Sequence, residues 1–179
     1  MNPLLFNTVS RHVLDLIRLS GPVILSRAGL MVMMVVDTIM VGRFSTQELA
    51  YQAIGLAPLM FIMVTSFGLL MGTLVRTAYN VGAGKPENCG SVWQRSLGYS
   101  LVISAIGFTA SCFGTEFLIL TGQERDIAVG GGEVILILGY SIPFMLVFIT
   151  SAFFLDGLKR PKPSMYIMIA ANILNVGFN

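Results

Sequence analysis

Long apolar runs alternate with short polar breaks along the whole chain. The runs predict helices over 19–41, 49–75, 96–120, 127–155 and 164–179. A helix needs roughly 20 mostly apolar residues to cross the hydrocarbon core of a bilayer, and the first four runs are each at least that long. The fifth is still running at Asn179, the last residue. Ahead of them, residues 1–18 set Val9, Val13, Leu14, Leu16 and Ile17 among Arg11, Asp15 and Arg18. That pattern fits either a short amphipathic helix on the membrane surface or a frayed lead-in. The predicted class is an all-α polytopic membrane protein with about five transmembrane helices.

Composition agrees. The chain is 55% hydrophobic and 11% charged, with a mean hydropathy of +0.80, whereas a soluble domain carries about 25% charged residues. The net charge is +2 and the charges are grouped, so nothing supports nucleic-acid binding. Cys89 and Cys112 have no neighbouring histidine; they fit no zinc spacing and read as free thiols. His12 reads as a solvated surface residue. The first apolar run is longer than a signal-peptide core and is preceded by Asp15, so it reads as a retained signal anchor.

The first helix carries what a plain anchor does not need: Pro22 in its first predicted turn, Arg27 and Asp37. A carboxylate at membrane depth costs roughly 2.5–3.5 kcal/mol on insertion scales. Asp37 therefore either faces a protein interior or cavity, or lies near enough the helix end to reach interfacial water. Arg27 is ten residues earlier, which is roughly 15 Å of rise and about 80° of rotation. The two cannot pair, and each needs another partner or water. Leu30, Met33 and Met34 share the face of Asp37; methionine adapts its shape at binding surfaces and also fills ordinary cores.

Further along, Pro58 and the pair Gly68/Gly72 lie in the second helix, the pair in a spacing that lets membrane helices approach closely. The break at 76–95 contains Gly82-Ala83-Gly84-Lys85. A phosphate-binding loop would need Gly where Tyr79 stands and Ser or Thr where Pro86 stands, so the segment reads as a flexible turn. Glu116 falls near the end of the third helix and reads as interfacial. Gly130–Gly132 loosens the start of the fourth helix, Glu133 is a second candidate ionisable site one turn in, and Pro143 is expected to kink the helix. The fifth helix carries Asn172, Asn175 and Asn179 on or near one face. They either glue the bundle by interhelical hydrogen bonds or line a polar site. No HExxH, GxSxG or paired-carboxylate motif is present, so an enzyme is not expected.

Lysines and arginines are unevenly placed. Eight lie in the N-terminal segment and in 76–95 and 156–163, against Arg43 and Arg125 in the alternate breaks. The positive-inside rule then places the N-terminus in the cytoplasm.

At this point the residues resemble a family. Gly21-Pro22, then Asp37-Thr-Ile-Met-Val-Gly42 and Leu49-Ala50, is similar to the first helix of the MATE transporters (multidrug and toxic compound extrusion), NorM-like members included. Asn80-Val-Gly82-Ala83-Gly84 resembles the end of that family's long second helix. Gly157 with Lys162-Pro163, then Asn175-Val-Gly-Phe-Asn179, is similar to its fourth and fifth helices. Two positions depart: Asp156 stands where a neutral polar residue is expected, and Gly177 where Pro is frequent.

The resemblance implies twelve helices in two six-helix lobes. Residues 1–18 would be a cytoplasmic lead-in and 19–179 an incomplete N-terminal lobe, about two-thirds of it. It implies an antiporter in a cell membrane, the bacterial inner membrane, exporting cationic or amphipathic small molecules in exchange for H⁺ or Na⁺. No cofactor and no obligate protein partner beyond the rest of the chain is implied. A lipid-linked oligosaccharide flippase of related fold is the alternative. By motif position, Asp37 corresponds to the acid of the N-lobe cavity, a potential Na⁺ ligand, with Asn175 and Asn179 beside it and Asn172 close by. Aligning the helix starts at Leu19 and Ser164 brings Asn179 within roughly 5 Å of Asp37 in depth and leaves Asn175 roughly 10 Å below. Asn179 is thus the expected direct neighbour.

Overall fold

The computed structural model describes residues 3–178, with side chains described at residues 17 and 20–177. Among these residues there are eight α-helices and no strands: α1 (Pro3–Phe44), α2 (Thr46–Leu70), α3 (Gly72–Gly82), α4 (Cys89–Ser111), α5 (Gly114–Leu120), α6 (Arg125–Gly139), α7 (Ile142–Gly157) and α8 (Lys162–Phe178). The His12 side chain and Asn179 lie outside the described residues.

The hydropathy pattern separates a lead-in from the first span, but the backbone runs both as one 42-residue helix, α1. Pro22 is therefore inside a helix and not in its first turn. It withholds one i→i−4 bond in mid-helix, where the loss is felt more than at a start. Ser45 ends this rod and begins the next: its backbone is extended and its hydroxyl accepts from the Gln47 and Glu48 amides, satisfying donors that a helix start leaves orphaned.

α2 and α3 continue one another through Met71, whose amide donates to the Phe67 carbonyl at 2.9 Å. Together they form a 37-residue rod, Thr46–Gly82, about 55 Å long. The stretch that reads as a flexible loop from 76 to 95 is mostly helix: α3 continues to Gly82, a 3-10 turn spans Pro86–Asn88, and α4 starts at Cys89. Gly84, at φ +70°, turns the chain between them.

Two spans are bent. The segment Pro86–Ser111 meets Gly114–Leu120 at 61°, and Arg125–Gly139 meets Ile142–Gly157 at 48°. The second bend follows from Pro143. Its ring clashes with the carbonyl four residues back, which is that of Gly139, where α6 ends; Pro143 then sits in the first turn of α7. Ser20–Phe44 and Thr46–Gly82 are long and apolar enough to cross a membrane, and the bent pairs raise the number to four if each is one span. α8 has 17 residues up to the end of the described chain. The protein is an all-α polytopic membrane protein.

α2 packs on α6, α4 on α7, α1 on α8, α5 on α6 and α3 on α7. The core is Leu59, Leu70, Leu118, Ile135, Ile142, Leu146 and Ile149 with their neighbours. Lipid is as apolar as leucine, so close backbone approach matters more here than in water. The expected pair Gly68/Gly72 does not provide it: a methyl at either would meet nothing within 4 Å. The close approaches are elsewhere. A methyl at Gly55 would fall 2.8 Å from the Gly131 carbonyl, one at Gly132 would fall 2.8 Å from the Thr115 backbone, and one at Gly157 would fall 2.9 Å from the Leu74 carbonyl. Gly130–Gly132, read only as a loosened start, is thus the seam that joins α6 to α2 and α5. On α4, Ser96, Ser100, Ser104 and Ser111 are buried on the helix that packs against α7. Ser100, Ser104 and Ser111 turn their hydroxyls back to carbonyls of their own helix.

Candidate functional site

α8 lies along α1 in the same direction. Gly29 opposes Met168 and Asn172, and Asp37 opposes Asn175. Gly29 makes room for this: a methyl there would fall 2.7 Å from Met168 Cγ and 3.1 Å from the Asn172 amide nitrogen. Asn172 Nδ2 donates to the Met168 carbonyl of its own helix at 2.9 Å. Asn175 Nδ2 donates to Asp37 Oδ1 at 2.9 Å. Asn175 Oδ1 is buried and has no hydrogen-bond partner among the described residues.

Among the described residues, Asn175 is therefore a direct neighbour of Asp37. The pair is 138 residues apart in the chain, whereas level starts at Leu19 and Ser164 would pair residues 145 apart. The seven-residue difference is roughly 10 Å of helix, the depth by which Asn175 was expected to fall short. α1 begins far before Leu19, so apolar starts do not set its register against α8. Asn179 lies outside the described residues. Glu133, the other intramembrane acid singled out, is exposed on α6, and Glu116 is exposed on α5.

The partner that Arg27 needs is Asp156. Arg27 Nη2 lies 3.6 Å from Asp156 Oδ2, with the two side chains 34% and 14% exposed. The Arg27 guanidinium also sits 5.3 Å over the Phe153 ring, three residues before Asp156 and so on the same face of α7. A cation over an aromatic face gains about 0.5–2 kcal/mol, more as it is desolvated. The acid that departs from the family pattern is thus the counter-charge to the arginine inside α1. This pair could not be read from either helix alone.

On the far side, Tyr51 and Gln47 at the start of α2 reach Asp126 at the start of α6. The tyrosine hydroxyl donates to Asp126 Oδ2 at 3.1 Å and the Gln47 amide at 3.3 Å. All of these contacts are exposed. They clamp the end of the α2–α6 seam.

The MatE family profile matches residues 22–179. The chain belongs to the MatE family. MatE membership covers all of the elements from α2 onward and the part of α1 that holds Arg27 and Asp37. Among curated relatives, the chain is 38% identical over 175 residues to a protein of Caulobacter vibrioides named probable multidrug resistance protein NorM, covering 96% of this chain and 36% of the relative. It is 30% identical over 166 residues to the Pseudomonas putida protein of the same name, covering 92% and 36%. It is 26% identical over 169 residues to multidrug resistance protein PmpM of Pseudomonas aeruginosa, covering 92% and 35%. The chain thus spans about a third of the length of the curated relatives it matches. No solved structure gives a significant match.

Proposed function

We propose that this MatE chain is the incomplete N-terminal lobe of a twelve-helix antiporter that exports cationic or amphipathic compounds in exchange for H⁺ or Na⁺. Asp37 is the ion acceptor and Asn175 its partner, with Asn172 on the same helix. The observation that carries this reading is the Asp37–Asn175 hydrogen bond between α1 and α8.

An amide suits an acid that must change its charge. Its NH₂ end donates to an ionised carboxylate, and its oxygen accepts from a protonated one or ligates a hard cation. Asn175 presents the donor end to Asp37 and keeps its oxygen free of other partners among the described residues. Neutralising Asp37 would remove the charge that favours this pairing and so bias the packing of α8 against α1. An ion that binds two packings unequally shifts their populations, which is what an exchange cycle requires. Multidrug resistance names among the relatives support the substrate class. The Lys/Arg distribution supports a cytoplasmic N-terminus in the inner membrane.

The test is Asp37→Asn in the full-length protein, reconstituted in vesicles with an imposed ion gradient. Loss of ion-driven export with the protein still folded in the membrane is the expected result. Unchanged coupling would remove Asp37 from the mechanism.

A further inference from the structure

A cavity of about 630 Å³ lies between the α3 end of the long rod and the start of α4, away from Asp37. Arg76 and Arg95 both line it, and no carboxylate does. The two arginines stand level. Arg76 is six residues before Gly82 at the end of α3, and Arg95 is six after Cys89 at the start of α4, so each is about 9 Å in from the turn that joins these antiparallel helices. Neither makes an ion pair among the described residues. Thr73 and Ser96, at 4% and 8% exposure, also line the cavity, and neither hydroxyl makes a hydrogen bond among the described residues. The other buried serines of α4 bond back to their own helix.

The cavity is graded along its length. Asn80 and Asn88 lie at the turn, the arginines in the middle, and Leu69 and Ile103 at the deep end. Arg76 is 30 residues from Thr46 along the rod, about 45 Å. A bilayer is about 40–45 Å thick with its headgroups, so a rod starting at one surface carries Arg76 to the opposite headgroup layer. Leu69, seven residues nearer, falls about 10 Å inward, toward the hydrocarbon.

We propose that this cavity is a binding site for an anionic phospholipid, with the phosphate between Arg76 and Arg95, hydrogen bonds from Thr73 and Ser96, and an acyl chain past Leu69 and Ile103. Basic pockets between membrane helices bind anionic headgroups in this way. An anionic lipid, rather than a free phosphate, matches the polar-to-apolar gradient and its depth. The site shares no residue with the proposed ion site.

The experiment uses the full-length protein in detergent, with binding of phosphatidylglycerol, cardiolipin and phosphatidylcholine followed by native mass spectrometry. Retention of the two anionic lipids over phosphatidylcholine is expected. Arg76→Gln/Arg95→Gln should weaken that retention about twenty-five-fold, a factor of about five per arginine. Arg76→Lys/Arg95→Lys should retain most of it, and Arg160→Gln/Lys162→Gln, with the same charge change elsewhere, should leave it intact. Melting of each variant without lipid separates lost binding from lost fold; should the glutamine variant fail to fold, Thr73→Val/Ser96→Ala carries the same test. Equal retention of phosphatidylcholine, equal loss in the 160/162 control, or displacement by inorganic phosphate as effective as by lipid would each overturn the proposal.

Discussion

Asn175 on α8 donates its amide hydrogen to the Asp37 carboxylate on α1 at 2.9 Å, a bond that ties together two helices that run in parallel. Removing a hydrogen bond to a charged group costs roughly 1.5–3 kcal/mol. Asn175→Leu should therefore lower the melting temperature of the full-length protein and raise the ion concentration needed for half-maximal export. Asn175→Asp should be worse for folding at neutral pH, because it sets two carboxylates together, and should recover as pH falls. Thermal melts across pH separate the two variants.

Arg27 and Asp156 couple α1 to the end of α7. Breaking a fully buried ion pair costs roughly 3–5 kcal/mol. Arg27 is a third exposed, so Asp156→Asn and Arg27→Gln should each lose less, about 1–2 kcal/mol. The exchange Arg27→Asp/Asp156→Arg should recover part of the loss of Arg27→Asp alone. Recovery will be incomplete, since the arginine then leaves the Phe153 ring. A double-mutant cycle on melting temperature reads both effects. Strict additivity would show that the contact carries no coupling.

The glycines of the chain should sort by their surroundings and not by spacing. Gly132→Ala pushes a methyl to 2.8 Å from the Thr115 backbone and should destabilise by about 1–3 kcal/mol. Gly68→Ala meets nothing within 4 Å in a helix interior and should stabilise by about 0.5–1 kcal/mol through the unfolded chain. Denaturant titrations of the two variants should move in opposite directions.

Topology can be checked with introduced thiols. Cys89 looks like a native probe in the sequence, but it is 2% exposed and its thiol points to the Thr77 carbonyl at 3.8 Å. It should stay unlabelled from either side. Glu87 and Glu124 are exposed near opposite turns. With the N-terminus in the cytoplasm, an impermeant maleimide should label Glu124→Cys in intact cells and Glu87→Cys only after lysis. The reverse pattern would invert the orientation.

Much of the fold is legible in the sequence because a bilayer demands long apolar helices and penalises charge. That demand makes Asp37 conspicuous, and the three-residue spacing of Asn172 and Asn175 on a helix face makes that stripe conspicuous too. Relative register is not legible. It depends on where small residues such as Gly29 make room for side chains of the neighbouring helix, and a helix start counted from hydropathy is off by the length of any helix outside the membrane. That is why Asn175 looks too far below Asp37 to reach it, when the two are hydrogen-bonded. The Arg27–Asp156 pair is hidden for another reason: its members lie 129 residues apart, and only the packing of α1 near α7 brings them together. The α6 glycines illustrate a third limit. Three adjacent glycines read as looseness until Thr115, Ile54 and Tyr51 are seen to occupy the space they leave.

The α1–α8 pairing also sets a schedule for biosynthesis. Asp37 leaves the ribosome 138 residues before Asn175. At about 5–20 residues per second, the acid waits roughly 7–28 s for its amide. Through that interval the Asp37–Asn175 contact between α1 and α8 is missing. Release of α1 into lipid should therefore be late, with the helix handed over once α8 has arrived. Stalling translation before residue 175 should leave α1 crosslinked to the insertion channel, while α2, whose clamp to Asp126 needs only 79 residues, departs sooner.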